Sequence, residues 1–498
     1  MNIFNPALPL TATIKQIQNL VPPEQYIYLV GGAVRDALVG KITHDFDFVL
    51  PDNVTQIGRL IANAFDGAFY ILDKTRETVR AIIRAPDGTR QILDFSTQRG
   101  TSLQDDLSQR DFTINAIAVD LHNPAQIIDP LGGAQDLIEH TLRACSPRAF
   151  SDDPLRIMRA VRLAVTYNLV IPADTRNLIS ASLEGLNQIS PERIRDELFR
   201  ILSEKRVTSA LRILDMLGAL SIILPEIPLL KDIQQSPPHI YDVYNHSLQT
   251  IQKLSEILAV ISQGSKTEKS ENWMYGYISL RLGRYRYQLH SHLEEQLNPE
   301  RNIRSLIFFA ALFHDCGKSF SRDYDEFHRL HFHEHDRLGA ELVHKRALNL
   351  RLNNSEIERL VSILRNHRWP FYLTQAGELP SNRTIFCFFH DTGPSGIDIC
   401  LISLADLIAT YEHALPQELW IRHIDTIHSL FEAWWEKREQ TVSPPSLVSG
   451  NELIRELNIC PGPRIGILLA EIQESQAAGE ISNSNEAIEY ARKRLKQL

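Results

Sequence analysis

Two carboxylates, Asp45 and Asp47, lie two residues apart, downstream of the Gly31-Gly32 pair and of Arg35. If this segment is a β-strand, both side chains point to the same side. Such a pair binds Mg²⁺, which takes its remaining ligands from water and substrate phosphates. A double-glycine turn lets backbone N–H groups approach a triphosphate, and Arg35 offers a charged fork. These are components of two-metal phosphoryl transfer; the alternative is a surface Asp pair after an ordinary turn.

Three more polar residues are candidates for the same site. Asp94 lies between two apolar residues of a strand-like segment, so we expect it to face away from them, and we predict a third catalytic carboxylate. Arg110 is a candidate phosphate ligand and Asn115 a candidate ligand of a ribose hydroxyl. The alternative for this stretch is a helix N-terminus that is capped by Asp111 or Thr113.

A helix is predicted soon after these residues. Pro154 suits the first turn of a helix, with Ser151 or Asp152 as the cap. On that helix Asp153 and Arg156 would be three positions apart and would share a face. The plain interpretation is a capped amphipathic helix with an internal ion pair.

The same Asp153 and Arg156 pair also suits base recognition, and Arg159 and Arg162 extend its stripe. A carboxylate accepts from an exocyclic amine while a guanidinium donates to a ring acceptor. Cytosine and adenine both match this pattern. Guanine and uracil present the reverse pattern and would leave buried groups unpaired, which is costly. One such pair would admit CTP and ATP and reject GTP and UTP.

Five motifs in order resemble the bacterial class II tRNA nucleotidyltransferases, or CCA-adding enzymes, and their poly(A) polymerase relatives. They are LVGGAVRD at 29–36, HDFDF at 44–48, RDFTINA at 110–116, DDPLRIMRAVR at 152–162 and SPERIRDEL at 190–198. The resemblance implies a polymerase-beta-like nucleotidyltransferase head, a helical neck that reads the base, and a helical body and tail that hold the tRNA acceptor arm.

The resemblance also assigns roles to individual residues. It implies that two residues hold metal, Asp45 and Asp47. It implies nucleotide contacts by Gly32, Arg35, Arg110, Arg159 and Arg162, and base reading by Asp153 and Arg156.

Two departures from the family pattern precede the reading residues, and we expect activity to survive both. Gln109 and Asp152 stand where the family often has Arg and Glu. A third departure concerns the stretch between Asp47 and Asp111. In full CCA-adding members it holds a flexible loop that helps to switch from CTP to ATP, but here it is compact. Some bacteria divide the work between a CC-adding and an A-adding enzyme, and this chain is a candidate for such a partial enzyme.

The adjacent pair His314-Asp315, on a helix after an apolar run, indicates a second chemistry. Neutral imidazole with carboxylate suits Mn, Fe, Ni or Zn better than Mg. With His246 and Asp406 the order resembles that of the HD phosphohydrolases, over about residues 240 to 415. His335 and His367 match the extra ligands of two-metal members of that family.

That resemblance implies phosphatase or 2′,3′-cyclic phosphodiesterase activity with a transition metal such as Ni²⁺ or Mn²⁺. The alternative is a set of solvated histidines. His328, His331 and His333 are not assigned a role.

The elements that must position these residues change in character along the chain. The pattern is mixed strand and helix up to about residue 145 and helical from Asp152 onward. We therefore predict an α+β head followed by an all-α neck, an HD-type body and a tail. The predicted boundaries are 1–145, 146–230, 231–420 and 421–498.

Composition limits the partners and the compartment. With 498 residues and a net charge of −9, nucleic-acid contacts must come from local basic patches, for which 281–287 and 492–496 are candidates. Five scattered cysteines without C-x-x-C favour a reducing cytoplasm and argue against both a disulfide framework and a thiolate zinc site. No signal peptide is visible, and the longest apolar run, Leu306 to Phe313, is too short for a membrane span.

These observations together predict a cytoplasmic enzyme that adds C and/or A nucleotides to the tRNA 3′ end. Its partners would be tRNA, CTP and ATP, with Mg²⁺ in the head, a metal-dependent phosphohydrolase in the body and no membrane. The alternatives are an HD phosphohydrolase with an RNA-binding head, or a poly(A) polymerase. The oligomeric state stays open.

Overall fold

The computed structural model describes residues 11–85, 87–263, 272–299, 301–324, 326 and 330–496. The chain divides into two compact units. The first comprises Met1–Ile189 with Ile213–Ile222, and the second comprises Ser190–Arg212 with Ile223–Leu498.

The first unit contains one mixed seven-stranded sheet with the strand order β3-β4-β5-β2-β1-β6-β7. Its strands are β1 (Tyr28–Val30), β2 (Asp45–Leu50), β3 (Ala68–Asp73), β4 (Thr78–Arg84), β5 (Arg90–Thr97), β6 (Ala118–Asp120) and β7 (Ile127–Ile128). The β2–β5 pair is parallel, and the other pairs are antiparallel. Its helices are α1 (Ala12–Leu20), α2 (Gly32–Leu38), α3 (Val54–Ala64), α4 (Leu103–Ser108), α5 (Gly133–Ile138), α6 (Ala149–Asp152), α7 (Arg156–Tyr167) and α8 (Ala173–Ser182).

The alternation of residues along β2 fixes which face of the sheet is buried. Phe46 and Phe48 point into the core, where they are 4% and 1% exposed. Phe48 stacks on Phe95 of β5 with ring centroids 4.9 Å apart. Helix α3 packs closely on this side because Gly58 has no side chain: a Cβ there would lie 2.6 Å from Val79. The opposite face of β2 is therefore left for polar residues.

The second unit is helical. Its first helix is α9 (Pro191–Leu202). The next two are α10 (Val207–Met216) and α11 (Ala219–Ile223), and a boundary between the two units falls within each of them. The later helices are α12 (Val243–Gln263), α13 (Trp273–Leu282), α14 (Arg286–Glu294), α15 (Ile303–Phe313), α16 (His335–Asn349), α17 (Asn354–Asn366), α18 (Trp369–Gln375), α19 (Asn382–Thr392), α20 (Ser395–Tyr411), α21 (Gln417–Trp435), α22 (Gly450–Leu457), α23 (Pro463–Ala477) and α24 (Ser484–Leu495).

The predicted α+β head followed by helical structure is confirmed. The body differs from an all-α expectation by two short antiparallel hairpins. They are β8 (Gln296–Asn298) with β9 (Arg301–Asn302), and β10 (Arg322–Tyr324) with β11 (Leu330–Phe332). Short strands of this kind carry little hydrophobic periodicity, so the sequence pattern did not predict them.

Helix α20 forms the centre of the second unit, and its residues from Ser395 to Ala405 are all buried. Among the described residues, no single helix has the length and apolar character needed to cross a membrane. The pair Asn382–Thr392 and Ser395–Ala414 meets that test only when its halves are joined, and it is bent by 105°.

A buried ion pair joins the β9 hairpin to α17. Arg301 is 4% exposed and Glu356 is 1% exposed. Arg301 Nε donates to Glu356 Oε1 at 2.7 Å, and Nη2 donates to Oε2 at 3.1 Å. Glu356 also accepts from the Asn353 backbone N–H and so caps α17. Without Glu356, the buried Arg301 guanidinium would keep only Asp196, whose Oδ1 lies 3.3 Å from Nη1, as a counterion within the described part of the chain.

We expect Glu356→Ala to lower the free energy of unfolding of the second unit by about 3–5 kcal/mol, because the Arg301 charge stays buried. Urea unfolding followed by circular dichroism measures this change. Glu358→Ala is the matched control, since Glu358 lies on the same helix and is exposed. Equal unfolding curves for the two variants would contradict the prediction.

Candidate active sites of the two units

The head carboxylates lie on the open face of β2. Asp45 and Asp47 are exposed, on the side opposite the buried phenylalanines. Parallel pairing of β2 with β5 places Asp47 beside Asp94. Protein atoms around Asp47 desolvate it and raise its pKa, which Arg110 opposes and Asp94 and Asp45 reinforce. A cation beside this group would relieve the carboxylate repulsion. The hard oxygen donors fit Mg²⁺.

Asp94 has a partner of its own in this structure. Arg80 Nε donates to Asp94 Oδ1 at 2.8 Å, and Arg80 Nη2 donates to Oδ2 at 2.8 Å. The structure therefore brings Asp94 to the predicted site but engages both of its oxygens. Its role as a third catalytic carboxylate stays a prediction.

The glycine turn lies against the carboxylates. Gly31 has φ = +73° and precedes α2. A Cβ at Gly31 would lie 3.2 Å from Arg110 Nη1 and 3.4 Å from Asp47 Oδ2. The positive φ therefore favours glycine, and a side chain here would also push Arg110 and Asp47 out of position. Arg110 itself is held by Asp106, whose Oδ2 accepts from Nε at 3.1 Å and from Nη2 at 3.0 Å. The predicted turn, carboxylate and Arg110 thus meet at one place.

The other predicted nucleotide ligands form a network around buried Asp111. Arg35 Nη1 donates to Asn115 Oδ1 at 2.5 Å, and Asn115 Nδ2 donates to Asp111 Oδ1 at 2.9 Å. Arg159 Nε donates to Asp111 Oδ2 at 2.9 Å. Burial alone would raise the pKa of Asp111, but Arg159, Asn115 and the Phe112 N–H lower it to about 2.

Sequence reasoning treated Asp111 only as a helix cap. Phe112 and not Asp111 precedes the 3₁₀ turn Thr113–Asn115, and no side chain caps that turn. The Asp111 carboxylate in fact accepts hydrogen bonds from Asn115, four residues later, and from Arg159 of α7. The partner on α7 depends on tertiary structure. The sequence signal for this role was an aspartate between Arg110 and an apolar residue, and such a signal is weak.

The prediction that Asp153 and Arg156 share a helix face is wrong. Helix α7 begins at Arg156, while Asp153 has extended backbone angles, φ = −149° and ψ = 95°. Pro154 explains this, because the residue before a proline is disfavoured in the helical region. Ser151 and Asp152 belong to α6 and do not cap α7. Asp153 Oδ1 instead accepts from the Leu155 N–H at 3.3 Å.

Arg156 is anchored on backbone carbonyl groups. It donates to the carbonyls of Gln109 at 3.0 Å, Ala149 at 3.1 Å and Arg110 at 3.3 Å. Arg162 lies further along α7 and is partly buried. The guanidinium of Arg156 thus ties the motif around Arg110 to the start of α7.

The second unit brings all six predicted HD residues together. Helix α15 ends at Phe313, so His314 and Asp315 follow this apolar helix and do not lie on a further α-helix. Asp315 Oδ2 lies 3.3 Å from His314 Nε2 and 3.6 Å from His246 Nε2. Asp315 Oδ1 lies 3.5 Å from the Nε2 atom of His335 and 4.0 Å from that of His367.

Asp406 lies next to His246 and His314. Its Oδ1 lies 2.8 Å from His246 Nε2 and 3.7 Å from His314 Nε2. The two clusters with metal-ligand spacing, His246–His314–Asp315 and Asp315–His335–His367, share Asp315. The HD constellation is therefore assembled from α12, the end of α15, α16, the end of α17, and α20.

Backbone carbonyls set the orientation of three histidine rings. Each ring directs Nδ1 at a carbonyl oxygen three residues earlier: His314 at Ala311 (2.8 Å), His335 at Phe332 (2.9 Å) and His367 at Leu364 (2.7 Å). A carbonyl only accepts, so Nδ1 carries a proton in each ring, and Nε2 is the nitrogen that faces Asp315. His314 Nε2 is buried with no hydrogen-bond partner among the described residues. An orphaned imidazole nitrogen of this kind fits a metal ligand.

The electrostatics of the HD cluster also favour a cation. Burial opposes protonation of His314, but Asp315 and Asp406 raise its pKa to about 10. His367 lies farther from the carboxylates, and burial with the neighbouring His314 lowers its pKa to about 3. Lys318 lies 2.6 Å from Asp315 and helps to hold the pKa of that carboxyl well below its usual range, against burial.

A cavity of about 600 Å³ opens beside the cluster. Lys318 and Arg368 line it, as do the previously unassigned His331 and His333. His239 also lines it, and burial, with Lys318 and His246, lowers the pKa of that imidazole to about 4. Sequence reasoning passed over His239, His331 and His333 because only the fold places them at the same cavity as Asp315. His328 lies outside the described residues.

Three family models match successive parts of the chain. A poly A polymerase head domain matches residues 27–143, and a probable RNA and SrmB-binding site of polymerase A matches residues 168–230. An HD domain matches residues 243–410. Head and HD domains of these families generally use divalent metals.

Whole-chain comparisons agree with these matches. The A-adding tRNA nucleotidyltransferase of Deinococcus radiodurans is 30% identical over 469 residues, which cover 92% of this chain and 93% of the relative. The CC-adding enzyme of Synechocystis sp. is 27% identical, with 95% and 94% covered. A CCA-adding enzyme solved with CTP shares the fold, with a TM-score of 0.63, 19% identity and coverage of 98% and 96%. The chain belongs to the tRNA nucleotidyltransferase family, with an HD domain in its body.

Proposed function

We propose that this chain adds C nucleotides, and not the terminal A, to the tRNA 3′ end, with CTP and tRNA as its substrates. A relative with an A-adding name is 30% identical, and relatives with CC-adding names are 27% identical. The degree of identity therefore does not decide between the two activities. The short connection between β5 and α4 supports addition of a single kind of base. Three relatives that each match more than 90% of this chain have CC-adding names, which favours C as that base.

That connection comprises residues 98–102 and is pinned along its length. The Arg99 N–H donates to Asp106 Oδ1 at 3.0 Å. The N–H groups of Thr101 and Ser102 both donate to Asp105 Oδ2, at 2.9 and 3.1 Å. A full CCA-adding member would need a mobile loop between Asp47 and Asp111 to change from CTP to ATP. Five residues, of which Arg99, Thr101 and Ser102 are anchored in this way, are too few for such a loop, which supports addition of a single kind of base.

The proposed transfer uses the residues of the open sheet face. Asp45 and Asp47 would hold Mg²⁺, which, when bound, supplies charge neutralisation at the phosphates and activation of the tRNA 3′ hydroxyl. The Gly31-Gly32 turn would present backbone N–H groups to the triphosphate. Arg110, at this turn, would add positive charge, and Asn115 would contact the ribose. Asp94 would act with the two metal-binding carboxylates.

Base selection is proposed to involve Asp153, Arg156, Arg159 and Arg162. Arg156 has three carbonyl partners in this structure, so reading a cytosine edge would exchange some of these bonds for bonds to the base. A base that cannot make the exchange would leave the guanidinium short of acceptors, which is costly. Specificity would then come from the loss of existing bonds as well as from new ones.

The HD cluster is proposed to be a metal-dependent phosphohydrolase. Its nitrogen and oxygen donors, His246, His314, Asp315, His335, His367 and Asp406, suit Mn²⁺ or Ni²⁺ better than Mg²⁺. Lys318 and Arg368 line the adjoining cavity and provide positive charge for a phosphate.

The proposed division of the chain is a head at 1–145, a neck at 146–230, an HD domain at 231–420 and a tail at 421–498. The tail is supported by a small hydrophobic core of its own. That core comprises Val448, Leu453, Leu468, Ile472, Ile481, Ala487 and Ala491.

The first prediction concerns the product. A tRNA transcript that ends before C74, incubated with CTP, ATP and Mg²⁺, should gain two C residues and no A, because the five-residue connection between β5 and α4 is too short to supply a loop for a change of base. Sequencing of the products measures this. Addition of A76, or a requirement for a tRNA that already ends in C75, would contradict the proposal and favour CCA or A addition.

The second prediction concerns the head carboxylates. Asp45→Ala and Asp47→Ala should each lower the rate of CTP incorporation by about a thousandfold, since a lost metal anchor removes several kcal/mol of transition-state stabilisation. Asp174→Ala is the control, because Asp174 is an exposed aspartate of α8. Incorporation at the control rate by both variants would contradict the assignment.

The third prediction separates the two sites. The double variant with His314→Ala and Asp315→Ala should lose bound Mn²⁺ or Ni²⁺, measured by mass spectrometry of the metals. It should also lose hydrolysis of a phosphate ester but retain CTP incorporation. His344→Ala, on an exposed position of α16, is the control. Retained metal would contradict the ligand assignment, and lost incorporation would contradict the independence of the sites.

A further inference from the structure

A closed ring of contacts joins α2, the 3₁₀ turn that contains Asn115, and α7. Arg35 of α2 binds Asn115, and Asn115 binds Asp111. Asp111 accepts from Arg159, which lies in the first half of α7. Tyr167 ends α7, and its ring centroid lies 4.3 Å from the guanidinium carbon of Arg35. The series of contacts therefore closes at Arg35, where it began.

Tyr167 holds both members of the ion pair on α2. Its hydroxyl donates to Asp36 Oδ1. The same carboxylate oxygen accepts from Arg35 Nε at 3.1 Å and from Nη2 at 3.0 Å. The Lys41 ammonium lies 4.0 Å from the Tyr167 ring centroid. A cation close to an aromatic ring is attracted by its quadrupole, so Tyr167 binds the chain on either side of Asp36 as well.

Arg35 in turn supports the glycine turn. A Cβ at Gly32 would lie 3.3 Å from Arg35 Nη2, so the guanidinium packs directly beneath this residue. Arg35 is 8% exposed, and its bonds to Asn115 and Asp36 fix the plane of the fork. The position of the turn relative to Asp47 therefore depends on where Arg35 is held.

We propose that Tyr167 is a positioning residue for nucleotide transfer, which holds Arg35 under the Gly31-Gly32 turn from the far end of α7. This inference rests on the proposed nucleotide addition by the head. Tyr167 acts through Arg35 and Asp36 and makes no contact with substrate. The helix that carries Arg156 and Arg159 at its start thereby fixes the phosphate-binding turn with its last residue.

The consequence is a link between base recognition and the rate of transfer. A displacement of about 1 Å in a reacting group costs about 100-fold in rate. Loss of Tyr167 would leave the phosphate-binding groups present but less well placed. The rate of the bound complex should then fall more than the affinity for CTP.

The test compares Tyr167→Leu, which removes the ring and the hydroxyl, with Tyr167→Phe, which keeps the ring. Steady-state kinetics use the full chain, CTP, Mg²⁺ and a tRNA transcript without its CCA end. We expect Tyr167→Leu to lower kcat by about 10- to 100-fold while KM for CTP changes by less than about threefold. The kcat of Tyr167→Phe should lie between that of Tyr167→Leu and that of the wild type. Hydrogen exchange of the amides at 31–36 should be faster in Tyr167→Leu.

Two control variants separate positioning from general stability. Tyr70→Leu removes an exposed tyrosine from β3, and Ile17→Val weakens the buried packing of α1. Both should keep the wild-type kcat, although Ile17→Val lowers the melting temperature. Unchanged kcat in Tyr167→Leu, or an equal loss in Ile17→Val, would overturn the inference. Wild-type protein without incorporation of any nucleotide would overturn the proposed function and this inference with it, whereas an active wild type with an equally active Tyr167→Leu overturns this inference alone.

Discussion

The period of two along β2 is the constraint on which the head depends. Because successive side chains face opposite sides, the core takes Phe46 and Phe48 and the open face takes Asp45 and Asp47. The stacking of Phe48 on Phe95 fixes the neighbouring strand in parallel register, and that register sets Asp94 beside Asp47. A shift of one residue would bury the carboxylates and expose the phenylalanines, so core packing and site geometry are selected together.

Features that rest on local periodicity could be predicted from the sequence. The strand with its two carboxylates needs only alternation, and the Gly31 turn needs only the lack of a side chain. The HD residues were found by order and type, and the fold brings His246, His314, Asp315 and Asp406 within hydrogen-bond or metal-ligand range of one another. Their metal and their activity remain predictions.

Features that rest on a competing local rule or on distant partners could not be predicted in the same way. The spacing of Asp153 and Arg156 suggested a helix face, but the steric effect of Pro154 on the residue before it prevailed. The role of Asp111 depends on Arg159, which is 48 residues away. A fixed tautomer of His314 depends on a carbonyl that only the helix end presents. For Asp111 the deciding atom belongs to another element, and for His314 it belongs to the preceding turn of the chain.

The proposed metal sites of the two units would bind a cation in two different ways. The head offers the two carboxylates Asp45 and Asp47 and would leave the rest of a coordination shell to water and to phosphates, so its proposed metal site would be complete only with a nucleotide bound. The HD cluster offers six side chains, three of them already oriented by backbone carbonyls, and its His314 nitrogen is buried without a partner among the described residues. An oriented shell of this kind favours a resident metal. The prior orientation of the HD ligands, together with their type, would therefore separate a metal that arrives with its substrate from one that the fold itself retains.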